Sequence, residues 1–381
     1  MNKDGKGKRM KGKKLWTLLM VAALAIGLTA CGGKKPAEEK QADTPSDTKT
    51  DAKAEWDAKT EIEHALSTLE TGDPVPNVEE KTLTLSTHCT ELDSNYVYAT
   101  AFKNAVEKLS DGKMKITVYG NGQLFGQADA LQATQQGTLD IANSDTALLA
   151  NYNPKASMLD LPYLIKNRDQ ATKLVKDEEI NKEISAWIED SGMHLLSFMP
   201  LNFRNALMKD MNINSFEGFK GITMRTPEAP HTIAAFRAFE ANPTVIPSGE
   251  AYTAVQTGVA DGLEGHAEYM VLQKFYEVAT NYVQTKHVFT FTDYVMSKKT
   301  YDSLSDAQKQ VIDRAASAAL DVFLNYTDKL FPAMEDKLKT LGVTFTEVDL
   351  KPFIESVQSY NNDYIQKNDL KGIYEKVNSY E

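Results

Sequence analysis

The chain has 381 residues, 42% hydrophobic and 25% charged, which fits two globular domains and excludes wholesale disorder. Its formal charge is -11, from 42 Lys+Arg against 53 Asp+Glu; seven of the bases and one acid fall in the first thirty residues, so the remainder holds 35 bases against 52 acids, net -17. So acidic a body argues against nucleic acid, which is bound mainly by neutralising phosphate.

The first thirty residues read as an address. Lys3, Lys6, Lys8, Arg9, Lys11, Lys13 and Lys14 precede an apolar run from Leu15 to Leu28. That run is too short for the roughly 20 residues that span a bilayer, and its flanks are those of a secretory signal peptide. It ends Leu28-Thr29-Ala30-Cys31-Gly32, which resembles a bacterial lipobox and predicts lipidation of Cys31. Two acyl chains would hold the protein stably on a membrane. The chain's other cysteine, Cys89, then has no disulfide partner and reads as a small buried hydrophobe.

Residues 31–80 are expected to be a lipid-anchored tether and linker. Residues 32–60 are rich in Lys, Ala, Glu, Asp, Thr and Pro and lack apolar periodicity. Trp56, Ile62, Leu66 and Leu69 are spaced for a short amphipathic helix, stopped by Thr71-Gly72-Asp73-Pro74.

Strands and helices then alternate. Thr82–Ser86, Lys115–Tyr119 and Leu139–Ala142 read as strands, with helices through Ala99–Leu109 and Ala128–Gln136 between them. A second unit follows: strand Ile222–Arg225, helix Ala229–Glu240, strand Pro243–Ile246, helix Glu250–Val259, and Leu263 after an Asp261-Gly262 turn. From Ser303 the chain is mostly helical, with a late strand near Val343-Thr344-Phe345. Two such units predict two similar α/β lobes with mixed sheets. Ligands of open α/β sheets sit beyond the carboxyl ends of strands, which between two lobes means a cleft.

Catalytic and cofactor motifs are absent: there is no G-x-S-x-G, H-E-x-x-H, C-x-x-C or Walker A sequence. The histidines are scattered without metal-ligand spacing, so no metal and no cofactor is expected. Arginine is scarce, six residues against 36 lysines, and Arg204, Arg225 and Arg237 fall within one 34-residue window. Arg225 ends an otherwise apolar strand just before Pro227, where a guanidinium points to the cleft; its planar fork matches a carboxylate. By pattern alone an internal ion pair explains Arg225 equally well. Arg237, mid-helix, reads as part of a solvated face or an internal ion pair.

Several segments resemble the solute-binding proteins of TRAP transporters, the DctP-like family. They are Phe216–Pro227, Ala251–Glu264, Lys274–Val278, Tyr119–Leu124, Gln136–Asp140 and Asp160–Leu164, in family order from about Leu83 to Phe353. The resemblance implies a two-lobed, periplasmic-binding-protein-like (type II-like) fold with a hinge and a long connecting helix within Ser303–Leu330. The expected lobes are 81–202 plus 291–330 and 203–290 plus 331–381. It implies a receptor rather than an enzyme, one that closes on a small organic acid and passes it to membrane permease subunits. The family's substrate arginine falls on Arg225 and a second arginine on Arg204; His88, Gln127 and Asp145 match ligand-facing positions of the first lobe. Glu264 keeps the family's acid. Gly265 stands where an asparagine is usual, with His266 as its stand-in, and Ser248 replaces a pocket aromatic. A subunit of an ABC-type importer or sensor system, and a surface-anchored hydrolase, are the rival readings.

Overall fold

A computed structural model of the chain describes residues 56–380. The leader, Cys31 and the first part of the linker lie outside the described residues. The first elements are α1 (Ala58–Ser67), β1 (Lys81–Ser86), α2 (Ser94–Leu109), β2 (Met114–Tyr119), α3 (Gln127–Gln136), β3 (Ile141–Asp145) and α4 (Thr146–Leu149). A 3-10 turn at Pro154–Asp160 leads to α5 (Arg168–Lys176), α6 (Glu178–Glu189) and β4 (Met193–Met208). Next come β5 (Thr223–Thr226), α7 (Pro230–Ala238), β6 (Asn242–Val245), α8 (Ser248–Thr257), β7 (Gly262–Gly265) and α9 (Ala267–Leu272). The chain closes with β8 (Asn281–Ser297), α10 (Lys298–Asp302), α11 (Asp306–Thr340), β9 (Thr344–Thr346), α12 (Lys351–Lys367) and α13 (Lys371–Asn378).

The nine strands of the described residues join one mixed sheet, ordered β2-β1-β3-β8-β4-β7-β5-β6, with β9 beside β8. β1, β2 and β3 pair parallel, as do β5, β6 and β7. These are the two α/β units expected from the sequence. The long strands β4 and β8 are not expected from the sequence pattern. They have 16 and 17 residues, so each reaches about 50 Å and belongs to both units. Their antiparallel ladder breaks register three times, between Leu195 and Ser197, between Pro200 and Phe203, and between Arg204 and Ala206. The break after Pro200 is a bulge of Leu201 and Asn202 opposite Thr290; bulges bend a strand and raise its twist. Arg168 holds this bend. Its Nη1 donates to the carbonyls of Pro200 and Leu201 (3.1 and 2.6 Å), its Nε pairs with Asp328 on α11 at 2.9 Å, and it lies 4.7 Å over the Phe331 ring.

The hydrophobic core forms two clusters. The larger underlies β1–β3, α2 and α11 and continues through Val255, Leu263 and Met270 on α8, β7 and α9. A smaller one gathers Phe219, Phe236, Phe239 and Phe353 under α7 and α12, with ring centroids 4.9–6.0 Å apart. Burying each such ring contributes about 1.5–3 kcal/mol. The long helix α11 starts with a capping box, Ser305 with Gln308, and runs unbroken past the expected end at Leu330 to Thr340, with Pro332 inside it.

Within the expected linker, residues 56–80 pack on the body. Leu66 and Leu69 lean on the core, Trp56 lies 6.2 Å from Tyr326, and Val75 and Val78 are buried. Arg314 Nη2 fixes the turn by donating to the carbonyls of Thr71 and Asp73, both at 2.8 Å. The apolar spacing of that short helix is explained by this contact.

Candidate functional site

A cavity of about 30 Å³ lies where both units meet the crossing strands. From the first unit come Gln127 at the start of α3, Asp145 at the end of β3, Leu148 just after it, and Asp160. From the second come Glu228, Ala229, His231 and Thr232, at the loop and first turn between β5 and α7. Pro230 sits at the first position of α7, where a missing N–H costs nothing, and so fixes where that turn begins. Arg204, Val288 and Thr290 on β4 and β8 form the floor.

Arg204 is buried and paired. Its Nε and Nη2 donate to the two oxygens of Glu264 on β7, at 2.5 and 2.7 Å, and its Nη1 reaches Thr290 Oγ1 at 3.3 Å. His287 Nε2 donates to the same carboxylate at 3.2 Å, and Thr285 Oγ1 donates to His287 Nδ1 at 2.9 Å. Burial alone would push the Glu264 carboxyl up; Arg204 first, and then His287, overcome it and hold it well below the usual range. Burial weakens the guanidinium's hold on its proton, and Glu264 more than restores it. His287 arrives through the register break between Arg204 and Ala206, where β8 bows out over residues 284–287 with Lys286 at φ 46°.

Arg225, at the end of β5, is buried and nearly bare. Its Nε donates to the Ile246 carbonyl at 2.9 Å. Among the described residues no other hydrogen bond and no ion pair joins its guanidinium, so both Nη nitrogens are without a protein acceptor. Neither nitrogen is fully sealed from water, so the fork stays open at the site for an outside acceptor such as a carboxylate.

The other expected residues fall in three places. Gln127 Nε2 donates to His88 Nε2 at 2.7 Å, joining that pair to the cavity wall. Asp145 lines the cavity and its side chain accepts no hydrogen bond from a described residue, not even as the cap of α4. Ser248 and His266 lie just beyond β6 and β7, and Gly265 is the last residue of β7. His266 Nδ1 accepts from the Tyr269 backbone N–H at 3.4 Å, capping α9, and burial keeps its imidazole neutral, near a pKa of about 3. Asp160, His231 and His287 were not expected. Asp160 accepts from Thr146 Oγ1 at 2.8 Å, and burial raises its carboxyl to about 7. His231 lies between Ser157 Oγ (3.0 Å) and Tyr360 OH (2.9 Å), and burial lowers it to about 4. Cys89 is buried and its thiol is pushed well up by burial, so it is inert as expected.

The family described as bacterial extracellular solute-binding protein, family 7 (DctP), matches residues 85–368. The chain belongs to this family. It is 26% identical over 273 residues to the sialic acid-binding periplasmic protein of Vibrio cholerae, covering 71% of this chain and 84% of that one. It is 29% identical over 289 residues to the ectoine-binding periplasmic protein of Halomonas elongata, covering 74% and 84%. A TRAP periplasmic solute-binding protein from Bordetella, its density interpreted as pantoate, superposes with TM-score 0.74 at 26% identity over 79% of this chain and all of that one. The two-lobed fold is the periplasmic-binding fold of those structures, and this family-7 protein is an extracytoplasmic solute receptor of the TRAP type, not an enzyme. No helix of the described residues is long and apolar enough to cross a membrane.

Proposed function

We propose that this receptor binds a small organic acid by its carboxylate at Arg225 and delivers it to the membrane permease subunits of a TRAP transporter. The observation that carries the reading is the buried guanidinium with two unpaired Nη nitrogens at the carboxyl end of β5. A carboxylate supplies the two acceptors in the plane that such a fork requires. Relatives are named for sialic acid and for 2,3-diketo-L-gulonate, which are both carboxylic acids.

The cleft works by closing. The cavity of about 30 Å³ is lined by Arg204 and not by Arg225 and has room for about two water molecules, so a sugar-sized acid that reaches Arg225 would part its walls. Residues 81–202 plus 291–330 would form one lobe, and 203–290 plus 331–381 the other, rocking about the bulge at Leu201–Asn202. The ligand favours closure only through contacts it gains there, and exclusion of water strengthens its ion pair. A lipid on Cys31 would keep the receptor at the membrane, near its permease.

The reading is tested by a thermal-shift screen with D-glucuronate, sialic acid, 2,3-diketo-L-gulonate, pantoate and ectoine at millimolar concentration, followed by calorimetry on the best. A bound solute raises the melting temperature by mass action. Arg225→Lys keeps the charge and loses the fork, and is expected to weaken binding about 100-fold. Wild-type affinity in that variant would sink the bidentate role.

A further inference from the structure

The end of β7 lies between the strands that carry the two arginines, since β7 pairs with β4 on one side and β5 on the other. Its last residue, Gly265, has an ordinary backbone but no room for a side chain. A Cβ there would stand 2.8 Å from Tyr269 Cδ1 and 3.3 Å from Met270 Cε. The Tyr269 ring is therefore pressed against the strand end, and it lies within electrostatic range of Arg204. At its other end the phenol oxygen is 2.6 Å from Ser248 Oγ, at the start of α8 and just past β6. The sheet order is β7-β5-β6, so a bridge from beyond β7 to beyond β6 passes over the carboxyl end of β5. That is where Arg225 is, its Nε tied to Ile246, two residues before Ser248.

We propose that Tyr269, with Ser248, is a specificity-determining residue of this site: the hydroxyl pair roofs the end of β5 and donates one hydrogen bond to the solute's carboxylate beside Arg225. This rests on the carboxylate reading above. Two hydroxyls in contact have two hydrogens and use one between them, so one remains to donate. An ionised carboxylate is acceptor-only and can take that hydrogen together with the Arg225 fork. A carboxamide presents an N–H₂ on one side and meets the roof donor-to-donor. Gly265 is then the residue that makes space for the roof.

The test uses the full chain and the strongest acid of the screen beside its own carboxamide. Tyr269→Phe keeps the ring and removes the hydroxyl. It is expected to weaken the acid about tenfold and the carboxamide little, narrowing the preference, while the melting temperature without solute stays put because the pair is exposed. A merely structural role would lower both affinities alike. Gly265→Ala forces the ring from its place and should cause the same narrowing; in a Tyr269→Ala background it should add little. If Tyr269→Phe keeps the wild-type preference while Arg225→Ala has lost binding, Tyr269 is overturned and the carboxylate reading stands. If no acid in the screen shifts the melting temperature, or Arg225→Ala binds normally, the carboxylate reading falls and this proposal with it.

Discussion

Arg204 and Arg225 stand one strand apart, on either side of β7, and are 8% and 2% exposed. They differ in what completes them. Arg204 has both oxygens of Glu264, whose remaining charge is steadied by His287. Arg225 has one backbone carbonyl. The same residue type is thus closed off by the fold in one place and left open for an external partner in the other. Burial does not separate a structural arginine from a binding one; the inventory of acceptors around the fork does.

The largest effect that would break the contrast is on stability. Arg204→Met leaves the Glu264 carboxylate buried without its main partner and is expected to cost about 3–5 kcal/mol in the solute-free protein. The double variant Arg204→Met/Glu264→Met should recover most of that, because an ion pair replaced whole by apolar groups is often neutral. Urea denaturation of the three proteins checks this. A single variant as stable as wild type would show that Arg204 is as uncompensated as Arg225.

Arg225→Met is expected to do the reverse. Solute affinity should fall about 100-fold, since most of the anion's partner is gone. Solute-free stability should hold or rise, since an uncompensated buried charge is removed. A loss as large as that of Arg204→Met would reveal a protein acceptor for Arg225 and dissolve the distinction.

Much of this was legible beforehand, and the limit is physical. The α/β units were readable because β1, β2 and β5 alternate or end in turn residues, and Arg225 was conspicuous as a charge in an apolar strand. The strands β4 and β8 hid because they are buried on both faces along much of their length, which removes alternation. Pro200 also argues against a central strand, yet it sits at the edge of the bulge, where a ladder bond is already missing. The Arg204–Glu264 pair joins residues 60 apart in sequence, and His287 reaches it through a register break. No local spacing encodes either. Tyr269 needed the sheet order before its hydroxyl could be placed.

The smallest expected effect sharpens the contrast from within the cavity. If Arg204 is closed off by Glu264, it can give little relief to Asp160 nearby, and that carboxyl stays raised to about 7, chiefly by burial. The unfolded chain holds the same proton with a pKa near 3.8. Between those values the folded state binds more protons than the unfolded one, so this group's contribution is most favourable at low pH. It is lost progressively from about pH 4 to about pH 7 and is constant above. Asp160→Asn removes that loss. Relative to wild type, the variant should gain stability at about pH 8 and little at about pH 4, read from denaturation curves at both. An equal difference at both pH values would mean that Asp160 ionises normally, and therefore that the charge of Arg204 reaches into the cavity despite Glu264.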